Sequence, residues 1–98
     1  MKVALHPSAA LDLEEQANWY DARVDGLGDR YYADFRAAVA RISDAPRSFR
    51  VLMPPGIRVA LLRSFPFSVM FRELGGDLEI LAVAAHRRHP SYWLGRAV

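Results

Sequence analysis

The residues most able to do chemistry lie near the C-terminus and on two predicted strands. They are two histidines, four arginines and two aromatic residues: His86, Arg87, Arg88, His89, Tyr92, Trp93, Arg58 and Arg72. An imidazole exchanges a proton near neutral pH, and a tyrosine hydroxyl can donate one. A guanidinium group forms paired hydrogen bonds to a phosphate or a carboxylate. This set therefore suits proton transfer beside an anionic substrate, or the binding of an acidic partner.

The same residues also allow a purely structural interpretation. A histidine that ends a strand is most often a structural residue, and Arg87 and Arg88 are equally consistent with a solvated pair. Trp93 is more readily explained by packing than by function, and Tyr92 fits both. The two histidines of this region have no third ligand at a suitable spacing, so the sequence predicts no metal site and no cofactor.

Charge is distributed unevenly along the chain. Residues 1–45 hold five basic and eight acidic side chains, a balance of −3, and residues 46–98 hold eight basic and three acidic, a balance of +5. A concentrated basic surface attracts anionic partners, which are either nucleic acid or an acidic protein segment. The alternative is a solvated face that binds nothing.

Length and composition limit the class of protein. The 98 residues are predicted to form one domain, 1–98, with room for two layers of secondary structure. The absence of cysteine excludes disulfides and thiolate metal ligands. No apolar run is long enough to cross a bilayer and no signal-peptide pattern is present, so we expect a cytoplasmic protein without membrane contact.

Three apolar segments between residues 57 and 85 predict the strands that position these side chains. IRVALL and FPFSVMF alternate their side chains between two faces, which is the period of a strand. LEILAVAA, residues 78–85, is interrupted only by Glu79, so it predicts a central strand covered on both faces, with Ile80 and Val83 buried. The connection LGGD before it predicts an antiparallel hairpin, because glycine tolerates positive φ.

The first half of the chain predicts one strand followed by two helices. Residues 2–5 form the strand, which ends before the first proline. Ser8 is the predicted N-cap of the first helix, and the second helix is predicted to start at Asp29, after the break GLG. The two helices, within residues 8–44, should form an antiparallel hairpin. Trp19 lies near the edge of the first helical stripe, and we expect it to pack into the core; the alternative is that it forms part of a partner surface.

The remaining segments complete an α+β fold. Residues 48–53 predict an edge strand, because the turn PPG follows directly. The complete order is β-α-α-β-β-β-β, followed by a short C-terminal helix or turn. We therefore predict an N-terminal strand and an antiparallel two-helix hairpin packed on a largely antiparallel sheet of four to five strands.

The sequence as a whole resembles a known family. The segment FPFSVMFREL and the ending EILAVAAHRRHPSYWLGR resemble the RelE/ParE superfamily of bacterial toxins from type II toxin–antitoxin modules. The resemblance extends over nearly the whole chain, from Leu5 to Trp93. It implies a growth-inhibiting toxin, of the kind found in plasmid-stabilisation modules, which a cognate antitoxin neutralises in a hetero-oligomer.

The resemblance implies two alternative targets. ParE-like members inhibit DNA gyrase, and RelE-like members cut mRNA on the ribosome. Cleavage of RNA through its own 2′-hydroxyl needs a proton acceptor, a proton donor and cations beside the phosphate. In a RelE-like nuclease the catalytic residues would be His86, Tyr92, Arg58, Arg72 and Arg87.

Partner binding uses an overlapping set of residues. The expected contacts are Arg58, Arg72, Arg87, Arg88 and Trp93. Many RelE-like nucleases carry lysines on their sheet, whereas the only lysine here is Lys2. This difference slightly favours a non-enzymatic, ParE-like gyrase inhibitor over the nuclease, and a degenerate binding module is the third alternative. We expect the antitoxin to bind through an acidic amphipathic segment, as a helix in a groove or a strand on a sheet edge.

Overall fold

A five-stranded sheet carries a helical hairpin on one face and the C-terminal segment on the other. The computed structural model describes residues 2–86 and 91–97. In chain order the elements are β1 (Val3–Leu5), α1 (Pro7–Asp21), α2 (Leu27–Asp44), a 3₁₀ turn (Pro46–Ser48), β2 (Arg50–Met53), β3 (Ile57–Leu61), β4 (Phe67–Leu74), β5 (Asp77–Ala85), α3 (Ser91–Leu94) and a second 3₁₀ turn (Gly95–Ala97). The predicted α+β fold is confirmed.

The strands are ordered β1-β5-β4-β3-β2 across the sheet. All pairs are antiparallel except β1 with β5, which is parallel. The predicted hairpin joins β4 to β5 through Gly75 and Gly76, both at positive φ. β2 is an edge strand, as predicted. β5 lies inside the sheet, between β1 and β4, as predicted for a central strand.

The first helix begins one residue before the predicted cap. Pro7 occupies the first helical position, where its fixed φ is already helical and its missing N–H is not needed. His6 is the N-cap, and its Nδ1 accepts a hydrogen bond from the N–H of Ser8 at 3.1 Å. The prediction that Ser8 caps this helix is therefore wrong, because the proline moves the start of the helix toward the N-terminus.

The second helix also begins early, at Leu27 instead of Asp29. Gly26 takes a left-handed conformation, with φ of 82°, and lets the chain reverse direction sharply. Gly28 lies within the first turn of α2 and against α1, where an added Cβ would lie 2.6 Å from Oδ2 of Asp21. The N–H of Gly28 donates to the other oxygen of that carboxylate at 2.7 Å. The GLG segment is thus a close contact between the helices.

The helical hairpin covers one face of the sheet and encloses most of the core. This helix-side cluster contains Ala9, Leu13, Ala17, Tyr31, Phe35, Ala38, Ile42, Ala60, Leu62, Phe67, Val69, Phe71, Leu78, Ile80 and Val83. Ile80 and Val83 are fully buried, as predicted. The prediction for Trp19 is wrong, because its side chain is 53% exposed on the outer surface of α1.

The opposite face of the sheet has a smaller cover. Its cluster contains Ile57, Val59, Met70, Leu81, Ala82, Ala84 and Trp93. Six of these residues come from strands, and only Trp93 comes from outside the sheet. Part of the C-terminal segment therefore covers the face that the helices leave open.

Candidate functional site

Arg58 lies in β3 and holds the segment that precedes β2. Its Nη1 donates to the carbonyl oxygen of Phe49 at 2.6 Å and to that of Arg47 at 3.4 Å. Arg58 is paired across the ladder with Phe71, which is buried under the helices. Directly opposed residues share a face of a sheet, so Arg58 lies on the helix side. Its guanidinium already has structural partners there.

Arg72 lies in β4 on the opposite face of the sheet. Its Nε donates to Oε1 of Glu79 at 2.9 Å, and its Nη1 donates to the carbonyl oxygen of Ala97 at 2.8 Å. Because Phe71 faces the helices, strand alternation places Arg72 on the other side. The structure therefore separates Arg58 from Arg72 by the thickness of the sheet and does not bring them into one cluster.

His86 directly follows β5 and is exposed. Its backbone N–H donates to the carbonyl oxygen of Pro66 at 3.1 Å, which extends the β4–β5 ladder by one step. The imidazole is thus free to reach solvent at the end of the sheet. Three further predicted or candidate residues lie outside the described part of the chain: Arg87, Arg88 and His89.

Tyr92 and Trp93 are neighbours in α3 with different surroundings. Tyr92 is half-buried, and the guanidinium carbon of Arg96 lies 5.2 Å from the centroid of its ring. Trp93 is 1% exposed and packs on the face of the sheet opposite the helices. In the isolated chain the Trp93 ring is therefore a packing element, and only the Tyr92 side chain reaches the surface.

An ion pair that the sequence analysis missed ties the C-terminal turn to α1. Nη1 of Arg96 lies 2.7 Å from Oδ2 of Asp12, and Nη2 lies 3.3 Å from Oδ1. The side chains are only 14% and 13% exposed. Nη1 also donates to the carbonyl oxygen of Leu81 at 3.1 Å. The two charged residues are 84 positions apart, so no local pattern could have indicated the pair.

Side chains of α1 complete the hydrogen bonding along the open edge of β5. β1 pairs with β5 only as far as Ile80. Beyond that point, Oδ2 of Asp12 accepts a hydrogen bond from the N–H of Val83 at 3.2 Å. Nε2 of Gln16 donates to the carbonyl oxygen of Val83 at 2.8 Å. The hydroxyl of Tyr31 donates to Oε1 of Gln16. Burial raises the pKa of Tyr31 well above its ordinary value, so the hydroxyl keeps its proton.

A groove of about 590 Å³ lies between α1 and the open end of the β4–β5 hairpin, where β4 begins and β5 ends. Its lining is Ser8, Leu11, Asp12, Glu15, Gln16, Trp19, Tyr20, Pro66, Phe67, Ala85, Tyr92 and Arg96. Its lining combines aromatic rings with carboxylates and an amide of α1. A groove with apolar walls and a few polar groups suits the side chains of a binding partner.

Residues 2–86 and 91–97 contain neither a cluster of metal-binding side chains nor a helix that could span a membrane. No group of three or more histidine, aspartate or glutamate side chains there could hold a metal ion. Within the same described ranges, none of the helices has the length and apolar character needed to cross a membrane.

Comparison with known proteins decides between the two branches of the superfamily. Residues 3–90 match the sequence model of a family described as the ParE toxin of the type II toxin–antitoxin system parDE. The chain belongs to the ParE toxin family. The predicted RelE/ParE resemblance is therefore confirmed on its ParE side, and the chain is a toxin component of the type II class. No curated protein matches the sequence.

A solved structure with the same fold comes from the chromosomal ParDE toxin–antitoxin system of P. aeruginosa. The two chains are 24% identical, and their superposition gives a TM-score of 0.77. The match covers 87% of this chain and 95% of the other. At this identity the likeness establishes that the two chains share a fold. The contacts that this toxin makes with its partners depend on its own residues.

Proposed function

We propose that this ParE-family toxin inhibits DNA gyrase by binding it in the cytoplasm, without a catalytic step of its own. Membership of the ParE family supports this proposal. The observation that carries it is the position of Arg58 and Arg72, which lie on opposite faces of the sheet and are both engaged within the chain. A phosphate clamp needs cations that converge on one point. These two arginines instead stabilise the toxin.

The test compares the two candidate targets directly. Wild type, His86→Ala and Tyr92→Phe would be assayed for inhibition of supercoiling by purified gyrase and for mRNA cleavage on translating ribosomes. All three proteins should block supercoiling and leave mRNA whole. If the wild type cuts mRNA on ribosomes, if His86→Ala lowers that rate roughly a hundredfold, and if gyrase is unaffected, then His86 is catalytic and the proposal is wrong.

We also propose that a cognate antitoxin neutralises the toxin in a hetero-oligomer. The excess of basic residues after position 45 supports an acidic amphipathic segment as the binding element of that partner. Coexpression with the adjacent small reading frame should restore growth and yield a complex that copurifies. A toxin that is harmless when expressed alone and binds no product of the neighbouring frame would instead be a degenerate module.

A further inference from the structure

The outer surface of α1 carries three residues spaced four positions apart, Leu11, Glu15 and Trp19. Residues at this spacing stand next to each other along one side of a helix. Arg23, in the turn after the helix, lies against Trp19, and these four are called the ridge residues. Leu11 is 56% exposed and Trp19 is 53% exposed. Large apolar side chains this open, in line on one helix, form an apolar strip that the chain itself does not cover.

The last two ridge residues are held in a fixed arrangement. The guanidinium carbon of Arg23 lies 3.4 Å from the centroid of the Trp19 ring, which is a cation–π contact. Nη1 of Arg23 also donates to the carbonyl oxygen of Trp19 at 2.9 Å. Tryptophan and arginine supply much of the binding energy of protein interfaces, and side chains that are already ordered lose less entropy on binding.

The groove described above runs beside this ridge. Leu11, Glu15 and Trp19 line it and are exposed, and the less exposed Tyr20 and Phe67 line it as well. The Tyr20 ring packs edge to face against Phe65, so the wall is braced by the core of the protein. Ridge and groove together offer a rigid apolar surface into which a partner side chain can insert.

The charge of α1 indicates the chemistry of that partner. The helix carries four carboxylates and no lysine or arginine. Asp12 is engaged by Arg96, and Asp21 accepts from Gly28. Glu14 and Glu15 are exposed, and their carboxylates form no hydrogen bond or ion pair with any residue that the structure describes. Glu14 and Glu15 outnumber the one cation of the ridge, Arg23, which is held over the Trp19 ring, so this surface keeps a negative balance that complements a cationic surface.

An enzyme that acts on DNA presents such a surface, because lysine and arginine side chains must neutralise the phosphates it binds. The acidic segment expected of the antitoxin has the opposite character and would be repelled by Glu14 and Glu15. The α1 ridge thus differs in charge from the basic half of the chain, and it fits the target better than the antitoxin.

We propose that the ridge and groove of α1 are the surface through which the toxin docks on a cationic face of gyrase. This inference rests on the proposed function. Trp19 and Leu11 supply apolar anchors, and Glu14 and Glu15 supply attraction to lysine or arginine side chains of the target.

The experiment uses a matched pair of leucines. Leu11 on the ridge and Leu61 on β3 are 56% and 54% exposed, so truncation of either removes the same side chain from a similarly open position. The concentration of toxin that halves gyrase supercoiling would be measured for wild type, Leu11→Ala, Trp19→Ala and Leu61→Ala. We expect an increase of about tenfold or more for Trp19→Ala, a smaller increase for Leu11→Ala, and about the wild-type value for Leu61→Ala.

Charge reversal tests the electrostatic part separately. Glu15→Lys should weaken inhibition about tenfold at low salt, and the difference from wild type should shrink as salt rises. The second readout is copurification of each variant with the antitoxin. It should equal that of the wild type, because the ridge is expected to contact gyrase and not the antitoxin.

Each contrary result has a distinct meaning. If wild type inhibits gyrase and Trp19→Ala inhibits it equally well, the docking surface is wrong while the proposed function stands. If Trp19→Ala loses the antitoxin instead of gyrase, the ridge belongs to the antitoxin and this inference is overturned. If wild type leaves gyrase active, both the function and the docking surface fall.

Discussion

The two faces of the sheet are covered in different ways. Among the described residues, 15 buried side chains form the helix-side cluster, and both helices and three strands, β3, β4 and β5, contribute to it. The opposite cluster has seven, of which Trp93 alone comes from outside the sheet. On the helix side, many interlocking contacts share the stabilisation. On the other side, the partly buried Tyr92, Leu94 and Ala97 pack beside Trp93, so stability depends on one short segment and on the contacts that hold it in place.

The way the two faces are covered determines which surfaces of this small protein remain open to a binding partner. Both faces are occupied by the chain's own residues, and Arg58 and Arg72 stabilise that packing. Surfaces open to a partner in the described part of the chain include the outer side of α1, the groove beside it and the end of the sheet at His86. A toxin with this arrangement is suited to bind a target through the outer surface of its helices and not through the faces of its sheet.

The largest expected effect comes from Trp93→Ala. Removal of a fully buried tryptophan should cost about 4 kcal/mol of unfolding free energy, because it leaves a cavity and removes most of the C-terminal cover. Urea denaturation followed by far-UV circular dichroism measures the loss. Trp19→Ala is the matched control, and it should change stability by about 0.5 kcal/mol or less because that ring is exposed. Equal losses would contradict the difference between the two sites.

The next effect concerns the ion pair that holds the C-terminal turn. Arg96→Met should cost about 3 kcal/mol, because the Asp12 carboxylate is left in a mostly buried site without its cation. The double variant with Trp93→Ala should lose less than the sum of the two single losses, by about 0.5 kcal/mol or more, since both changes release the same segment. Strict additivity would show that the ring and the ion pair act independently.

The smallest effect at neutral pH is expected on the helix side. Tyr31→Phe removes the hydrogen bond to Gln16 and should cost about 1 kcal/mol. The same change combined with Trp93→Ala should be additive within about 0.5 kcal/mol, because the two residues lie on opposite faces.

The Tyr31 variant also has a signature at alkaline pH. Burial raises the pKa of Tyr31 in the folded state above its ordinary value near 10, so the folded protein holds this proton more tightly than the unfolded chain. The contribution of Tyr31 to wild-type stability should therefore be constant below that ordinary value and fall as pH rises above it. In Tyr31→Phe the fall in stability should be shallower in urea titrations between pH 9 and 11 than in wild type. Identical slopes of stability against pH in the two proteins would show that Tyr31 does not cause the loss of stability at alkaline pH.

The sequence predicted the elements whose signal is local. The helical stripe through Tyr31, Phe35 and Ile42 and the buried run containing Ile80 and Val83 both appear in the structure. The positions of the arginines could not be predicted in the same way. They depend on strand register, which pairs Arg58 with Phe71, and an offset of one residue would have reversed its face.

Other features depend on contacts between distant parts of the chain. Arg96 and Asp12 meet only after the whole sheet has formed. Trp19 illustrates the limit of periodicity as well, because a tryptophan near the edge of an apolar stripe fits the core and the surface equally well. Its helical spacing with Leu11 and Glu15 was the available signal for a surface ridge.

The most direct test of the central claim is the stoichiometry of inhibition. Wild-type toxin would be titrated against a fixed amount of purified gyrase, and supercoiling would be measured after short and long preincubation. A toxin that acts by binding should inhibit in proportion to the ratio of toxin to gyrase, reach its limit when gyrase is saturated, and give the same curve at both times. Inhibition by a small fraction of the gyrase concentration, increasing with time, would show catalytic turnover and contradict the account.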